Sequence, residues 1–157
     1  MKITFLTVGK TTNAHLIKLQ EEYQNRLKFY VPFETIIIPE LKNTKSLSIQ
    51  EQKEKEADLI LKSLETNDEV ILLDEKGKQY TSVGFSEFIS KKMLASHKRM
   101  VCVVGGPYGF SERVYQRANG KISLSAMTFS HQMIRLIFTE QLYRAMTILK
   151  GEPYHHE

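Results

Sequence analysis

Strands alternating with helices predict an α/β protein: a mainly parallel sheet flanked by helices. Three observations carry this. Short apolar runs lie at residues 3–8, 33–38, 69–73 and 99–104. Apolar residues between them recur at helical spacing. The run Met100-Val101-Cys102-Val103-Val104 is apolar without a break, as expected of a strand covered on both faces.

The elements follow in order. Residues 3–8 read as a first strand. Leu16, Leu19, Tyr23, Leu27 and Tyr30 give a helical stripe that Pro32 closes, because its ring cannot continue a helix. Residues 33–38 are rich in β-branched side chains and read as a second strand. Ser48 and Glu51 form a capping box for a helix with Ala57, Ile60, Leu61 and Leu64 inward. Residues 69–73 are the third strand and 74–78 a turn. Ser82 is placed as the cap of a helix burying Phe85, Phe88, Ile89 and Met93.

Residues 99–104 are the fourth strand, and Gly105-Gly106-Pro107-Tyr108-Gly109 is a loop. Ser111 caps a short helix reaching Ala118, and residues 121–125 are a fifth, weaker strand. Ser130 caps a long last helix, from His131 to Lys150. Ile134, Ile137, Phe138, Leu142, Ala145 and Leu149 share one of its faces. Met133, Leu136, Tyr143 and Met146 leave a second apolar surface, suited to more of the same core or to another subunit. Gly151 and Pro153 end the helix.

The chain has 157 residues, 41% hydrophobic and 25% charged, which suits a single domain over residues 1–157 and argues against disorder. Net charge is +4, a weak pull toward anionic partners such as nucleic acid. The one cysteine, Cys102, excludes an intrachain disulfide and fits a reducing, cytoplasmic setting. No stretch approaches a membrane span. The five histidines have no zinc-like spacing with cysteine or acidic residues, so no metal is expected.

In open α/β sheets ligands bind beyond the carboxyl ends of strands, here after Leu73, Val104 and Leu124. The Gly-Gly-Pro-Tyr-Gly loop after Val104 is neither a dinucleotide fingerprint nor a phosphate-binding loop. On its own composition it reads more readily as a tight strand-to-helix turn than as a ligand loop. His131 and Arg135 lie four apart at the start of the last helix and share a face. They suit an anion there, or simply a solvated surface and a paired arginine.

Several segments together carry a resemblance: Val8-Gly9-Lys10; Val70-Ile71-Leu72-Leu73-Asp74 before Gly77-Lys78; Val104-Gly105-Gly106-Pro107-Tyr108-Gly109; the block from Leu124 to Arg135; Glu140-Gln141-Leu142-Tyr143-Arg144-Ala145; and Lys150-Gly151-Glu152-Pro153-Tyr154-His155. In this order the chain resembles, from Met1 to His155, the ribosomal RNA large subunit methyltransferase H family of the SPOUT class. The resemblance implies a deep trefoil knot near the C-terminus and a homodimer. It implies S-adenosylmethionine as cofactor, bound by Leu73, Gly105, Leu124, Ser125, Ala126, Met127, Thr128 and Phe129. The implied reaction is methylation at N3 of pseudouridine 1915 (ribosomal RNA numbering), in helix 69 of 23S rRNA within the assembled 70S ribosome.

N3 carries a proton and is a poor nucleophile until the proton leaves, so the reaction calls for close positioning and a base or an oxyanion donor. The candidates are His131, Arg135, Arg144, Tyr154 and His155, with His155 as base and Arg135 as a phosphate or base-edge clamp. Relatives commonly end Tyr-His and then a basic residue, whereas here His156 and Glu157 follow His155. The rival readings are a SPOUT methyltransferase acting on another RNA base and a non-catalytic ribosome-binding factor. A flavodoxin-like nucleotide binder also fits the alternation, but it gives the block from Leu124 to Arg135 no role.

Overall fold

The computed structural model describes residues 1–156; Glu157, half of the departure at the chain end, lies outside the described residues. Five strands form one sheet: β1 (Lys2–Val8), β2 (Phe33–Ile38), β3 (Glu69–Gln79), β4 (Arg99–Val104) and β5 (Gly120–Ser123). Their order is β2-β1-β4-β3-β5, and every pair is parallel. The helices are α1 (Ala14–Leu27), α2 (Ile49–Lys62), α3 (Ser82–Leu94), α4 (Glu112–Arg117) and α5 (His131–Lys150).

Alternation along the strands sends side chains to two cores. On one face Phe5, Ile71, Met100 and Cys102 meet Leu27 of α1, Phe85 and Ile89 of α3, and Phe138 and Leu142 of α5. Phe5 and Phe138 pack with ring centroids 4.7 Å apart. On the other face Leu6, Val70, Leu72, Val101 and Val103 meet Ala57 and Ile60 of α2 and Val114 of α4. The central strands are therefore covered on both sides, which is why β4 carries no polar interruption.

Local chemistry sets the ends of the elements. Ser48 and Glu51 make the expected reciprocal capping box. Ser130 Oγ accepts from Met133 N–H at 3.2 Å and starts α5, and Gly151 ends it at φ 67°, a conformation that favours glycine.

Several expectations are corrected. Helix α1 ends at Leu27, well before Pro32: Tyr30 and Val31 N–H both turn back onto Leu27 O, and buried Val31 steers the chain into β2. Thr81 rather than Ser82 caps α3, its hydroxyl accepting from Gly84 N–H at 3.0 Å. Residues 74–78 do not end the third strand. Ile122 of β5 pairs with both Leu73 and Lys78, so the chain makes an excursion and rejoins the same neighbour. A Cβ on Gly77 would overlap the backbone of Ile122 there. Strand β5 spans residues 120–123, not 121–125, and α4 stops one residue before Ala118, while Ser111 makes no side-chain capping bond. The second surface of α5 is narrower than expected because Met146 is buried in the core. Met93 and Leu149, expected inside, are exposed.

Candidate functional site

The strands run parallel, so the excursion of β3 after Leu73 and the loops after β4 and β5 lie on one side of the sheet and converge. They enclose a cleft of ≈ 500 Å³ between the β3 excursion and the carboxyl ends of β4 and β5. Apolar walls come from Leu73, Ile122, Leu124, Met127, Phe129 and Ile134. Polar groups come from Lys53, Asp74, Glu75, Lys76 and His131, and the loop from Gly105 to Phe110 forms one side.

Small residues let the chain approach closely. Gly105 is buried, and a Cβ there would lie 2.9 Å from the Phe110 ring. Gly109, at φ 78°, closes a turn by donating its N–H to Gly106 O at 3.2 Å. Beneath the loop, Glu56 of α2 accepts a hydrogen bond from Gly106 N–H. Burial pushes its carboxyl up, while bonds from Gln52 and Gly106 pull the other way. Across the cleft, Ser123 Oγ donates to Ser125 O at 2.9 Å and Ser125 Oγ accepts from Met127 N–H at 2.9 Å. These two bonds fold residues 123–127 into a compact turn whose backbone groups border the cleft.

The eight residues expected to bind a cofactor fall together. Leu73, Gly105, Leu124, Ser125, Met127, Thr128 and Phe129 line this one cleft, and Ala126 is an exposed member of the same turn. Met127 is 79% exposed, an apolar side chain left uncovered over a cavity.

The catalytic candidates divide. His131 lines the cleft and also a smaller neighbouring cavity of ≈ 240 Å³ beyond Gly106 and Pro107. Arg135 lines only the smaller cavity and is 3% exposed. Its Nη2 donates to Val8 O at 2.8 Å and its Nη1 to Thr11 Oγ1 at 3.2 Å. Its Nε has no partner among the described residues, and burial pushes its pKa down. Together with Gln132, whose Oε1 accepts from Thr12 and Asn13 N–H at 3.0 Å, Arg135 ties the loop after β1 to the start of α5.

Tyr154 and His155 lie elsewhere, against the second half of α5. Tyr154 OH donates to Glu140 Oε1 at 2.9 Å, and its ring packs edge-on to Tyr143, centroids 4.7 Å apart. Arg144 donates to the same Glu140 oxygen at 2.6 Å, lies over the Tyr154 ring, and approaches His155 Nδ1 at 3.4 Å. Neither tail residue lines the cleft of its own chain.

Sequence reading passed over Lys53, Glu56 and Tyr115. Each sits on a helix covering the sheet, and no local spacing links them to the loops they reach. Among the described residues no three His, Cys, Asp or Glu side chains gather as a metal site, and no helix is long and apolar enough to cross a membrane.

Comparison with known proteins gives a consistent result. A family model described as "Predicted SPOUT methyltransferase" matches residues 1–155. The protein named ribosomal RNA large subunit methyltransferase H from Parabacteroides distasonis is 60% identical over 157 residues, all of both chains. Proteins of the same name from Bacteroides thetaiotaomicron and Flavobacterium johnsoniae are 59% and 57% identical, again over the whole of both chains.

Proposed function

The chain belongs to the SPOUT methyltransferases, in the ribosomal RNA large subunit methyltransferase H family, and from that premise we propose that its cleft seats S-adenosylmethionine and its target is N3 of pseudouridine 1915 in helix 69 of 23S rRNA. It is an S-adenosylmethionine-dependent methyltransferase of large-subunit ribosomal RNA.

One observation carries the reading of the cofactor site: seven residues from three separate segments meet around one cavity. The chemistry suits the ligand. A flat adenine wants apolar walls and backbone hydrogen bonds; Leu73, Leu124, Met127 and Phe129 offer the walls, and the turn at residues 123–127 offers the backbone. Gly105 lets its loop sit against the Phe110 ring, which a Cβ would push away, and so leaves its backbone beside the ligand.

Transfer to N3 is an in-line displacement on the sulfonium methyl, so alignment of donor and base supplies much of the rate. The base must leave its helical stack to reach a recessed methyl. His131 stands where the two cavities meet and is the near-side candidate for contact with the target nucleotide. Arg135 holds the wall of the smaller cavity, where a phosphate or base edge would reach it. Tyr154 and His155 lie away from their own cleft, so their catalytic role requires the cleft of a second copy. This reading includes a homodimer and a trefoil knot formed by the C-terminal segment in a single domain, working on the assembled 70S ribosome in the cytoplasm. Exposed Met133 on α5 and Ile17 and Leu19 on α1 supply apolar surface for a second copy.

The test is methyl transfer by purified protein to 70S ribosomes, free large subunits and extracted 23S rRNA, followed by mapping of the modified nucleotide. Methylation at position 1915 on ribosomes supports the reading. Transfer to another base redirects it to a different RNA target, and donor binding without transfer to any of the three substrates overturns it.

A further inference from the structure

The cleft contains a carboxylate whose direction is fixed from two sides. Asp74 follows Leu73 directly, where β3 leaves its ladder with β5 and makes its excursion. Its Oδ1 accepts from Lys76 N–H at 2.8 Å. Its Oδ2 accepts from the hydroxyl of Tyr115 on α4. Tyr115 is itself held, edge-on to Phe110 with ring centroids 5.8 Å apart and with the Lys121 ammonium 5.4 Å over its ring. Burial, and then the bond to Asp74, push the Tyr115 hydroxyl up, so it stays a donor across the neutral range.

A turn alone needs only the first of these bonds: one side-chain oxygen accepting an N–H two residues on is the ordinary Asx arrangement. The second bond uses a half-buried tyrosine to aim the other oxygen. An ionised carboxylate accepts at about four lone-pair positions, and two are used. Both Asp74 and Tyr115 line the cleft.

We propose that Asp74 is a donor-binding residue, its carboxylate accepting hydrogen bonds from the polar donors of S-adenosylmethionine, either the ribose diol or the α-ammonium, with Tyr115 as the residue that positions it. The inference rests on the cleft being the donor site. Carboxylate acceptors form hydrogen bonds roughly twice as strong as neutral ones, and a cofactor positive at both sulfonium and ammonium gains from a fixed negative charge.

The experiment is titration calorimetry with S-adenosylmethionine, S-adenosylhomocysteine and 5′-methylthioadenosine on wild type, Asp74→Asn and Tyr115→Phe, with a melting curve for each protein. Asp74→Asn is expected to weaken S-adenosylhomocysteine roughly tenfold or more, and Tyr115→Phe severalfold, with the melt little changed. 5′-Methylthioadenosine has the ribose diol but no amino-acid group. Equal loss with this ligand assigns the contact to the diol; loss confined to the amino-acid-bearing ligands assigns it to the ammonium. Unchanged affinity in Asp74→Asn for all three ligands overturns the proposal. So does a loss that follows a lowered melting temperature and leaves Tyr115→Phe at wild-type affinity. Failure of the wild type to bind any of the three overturns the reading of the cleft itself, a distinguishable result.

Discussion

Replacing Arg135 separates two roles for a buried cation. The side chain is almost fully covered, meets two neutral oxygens, and has no carboxylate within salt-bridge distance among the described residues. Its only charged support is Glu40, beyond that distance, so much of the several kcal/mol that burying an ion costs is left for substitution to relieve. Against that, removal leaves Val8 O without its donor, about 1–3 kcal/mol for a buried carbonyl; Thr11 is half-buried and recovers a water. In Arg135→Met the volume is kept, and the two effects cancel to within about 1 kcal/mol. In Arg135→Ala a cavity adds about 2 kcal/mol or more.

At roughly 2–4 °C per kcal/mol for a chain this size, alanine is expected to melt about 5–10 °C below wild type and methionine within a few degrees of it. Scanning calorimetry at pH 7 reads both. If methionine melts as low as alanine, the charge itself holds the loop and the reasoning about a weakly compensated ion is wrong. Methionine with a wild-type melt but weakened ribosome binding would locate the function of Arg135 in contact with RNA.

Other expectations are simpler. Gly105→Ala drives a Cβ into the Phe110 ring, costing about 1–3 kcal/mol as overpacking; calorimetric titration is expected to show donor affinity falling tenfold or more. Burial alone would raise the Asp68 carboxyl, but Arg99, bonded at 2.6 and 2.8 Å, and Glu65 N–H hold it below its ordinary value. The depressed carboxyl stabilises the fold above the unfolded-state pKa, near 3.9, and that contribution is lost as pH falls through its lower folded value. Asp68→Asn is therefore expected to lose up to about 3 kcal/mol at pH 7 and to show a shallower acid decline in urea melts run from pH 6 downward. Ser48→Ala removes half of the α2 capping box, about 1 kcal/mol, read as a melting point lower by roughly 2–4 °C with donor binding unchanged.

Much of the architecture was legible because it depends on local patterns. Helix α5 follows from its apolar stripe between Ser130 and Gly151, and β4 from its unbroken apolar run. The sites of error are ones where neighbouring residues carry the same local signal. Thr81 and Ser82 are both able caps, and only the direction from which the chain arrives selects Thr81. Asp74-Glu75-Lys76-Gly77 has true turn chemistry, yet the chain returns to the ladder because Ile122 offers pairing on both sides of the excursion. The three segments that border the cleft were legible from the strand pattern, which puts ligands after Leu73, Val104 and Leu124, whereas the particular residues of the 124–129 run came from resemblance. The links from Glu56 to Gly106 and from Tyr115 to Asp74 were invisible because they join residues distant in sequence through tertiary packing.

The central claim is that the excursion of β3 and the turns after β4 and β5 form one seat for a sulfonium cofactor. A crystal structure of the protein soaked with S-adenosylhomocysteine tests it most directly. The account predicts one ligand lodged against Leu73, Gly105 and residues 124–129. Ligand density at any other place, or an empty cleft at saturating ligand, would contradict it.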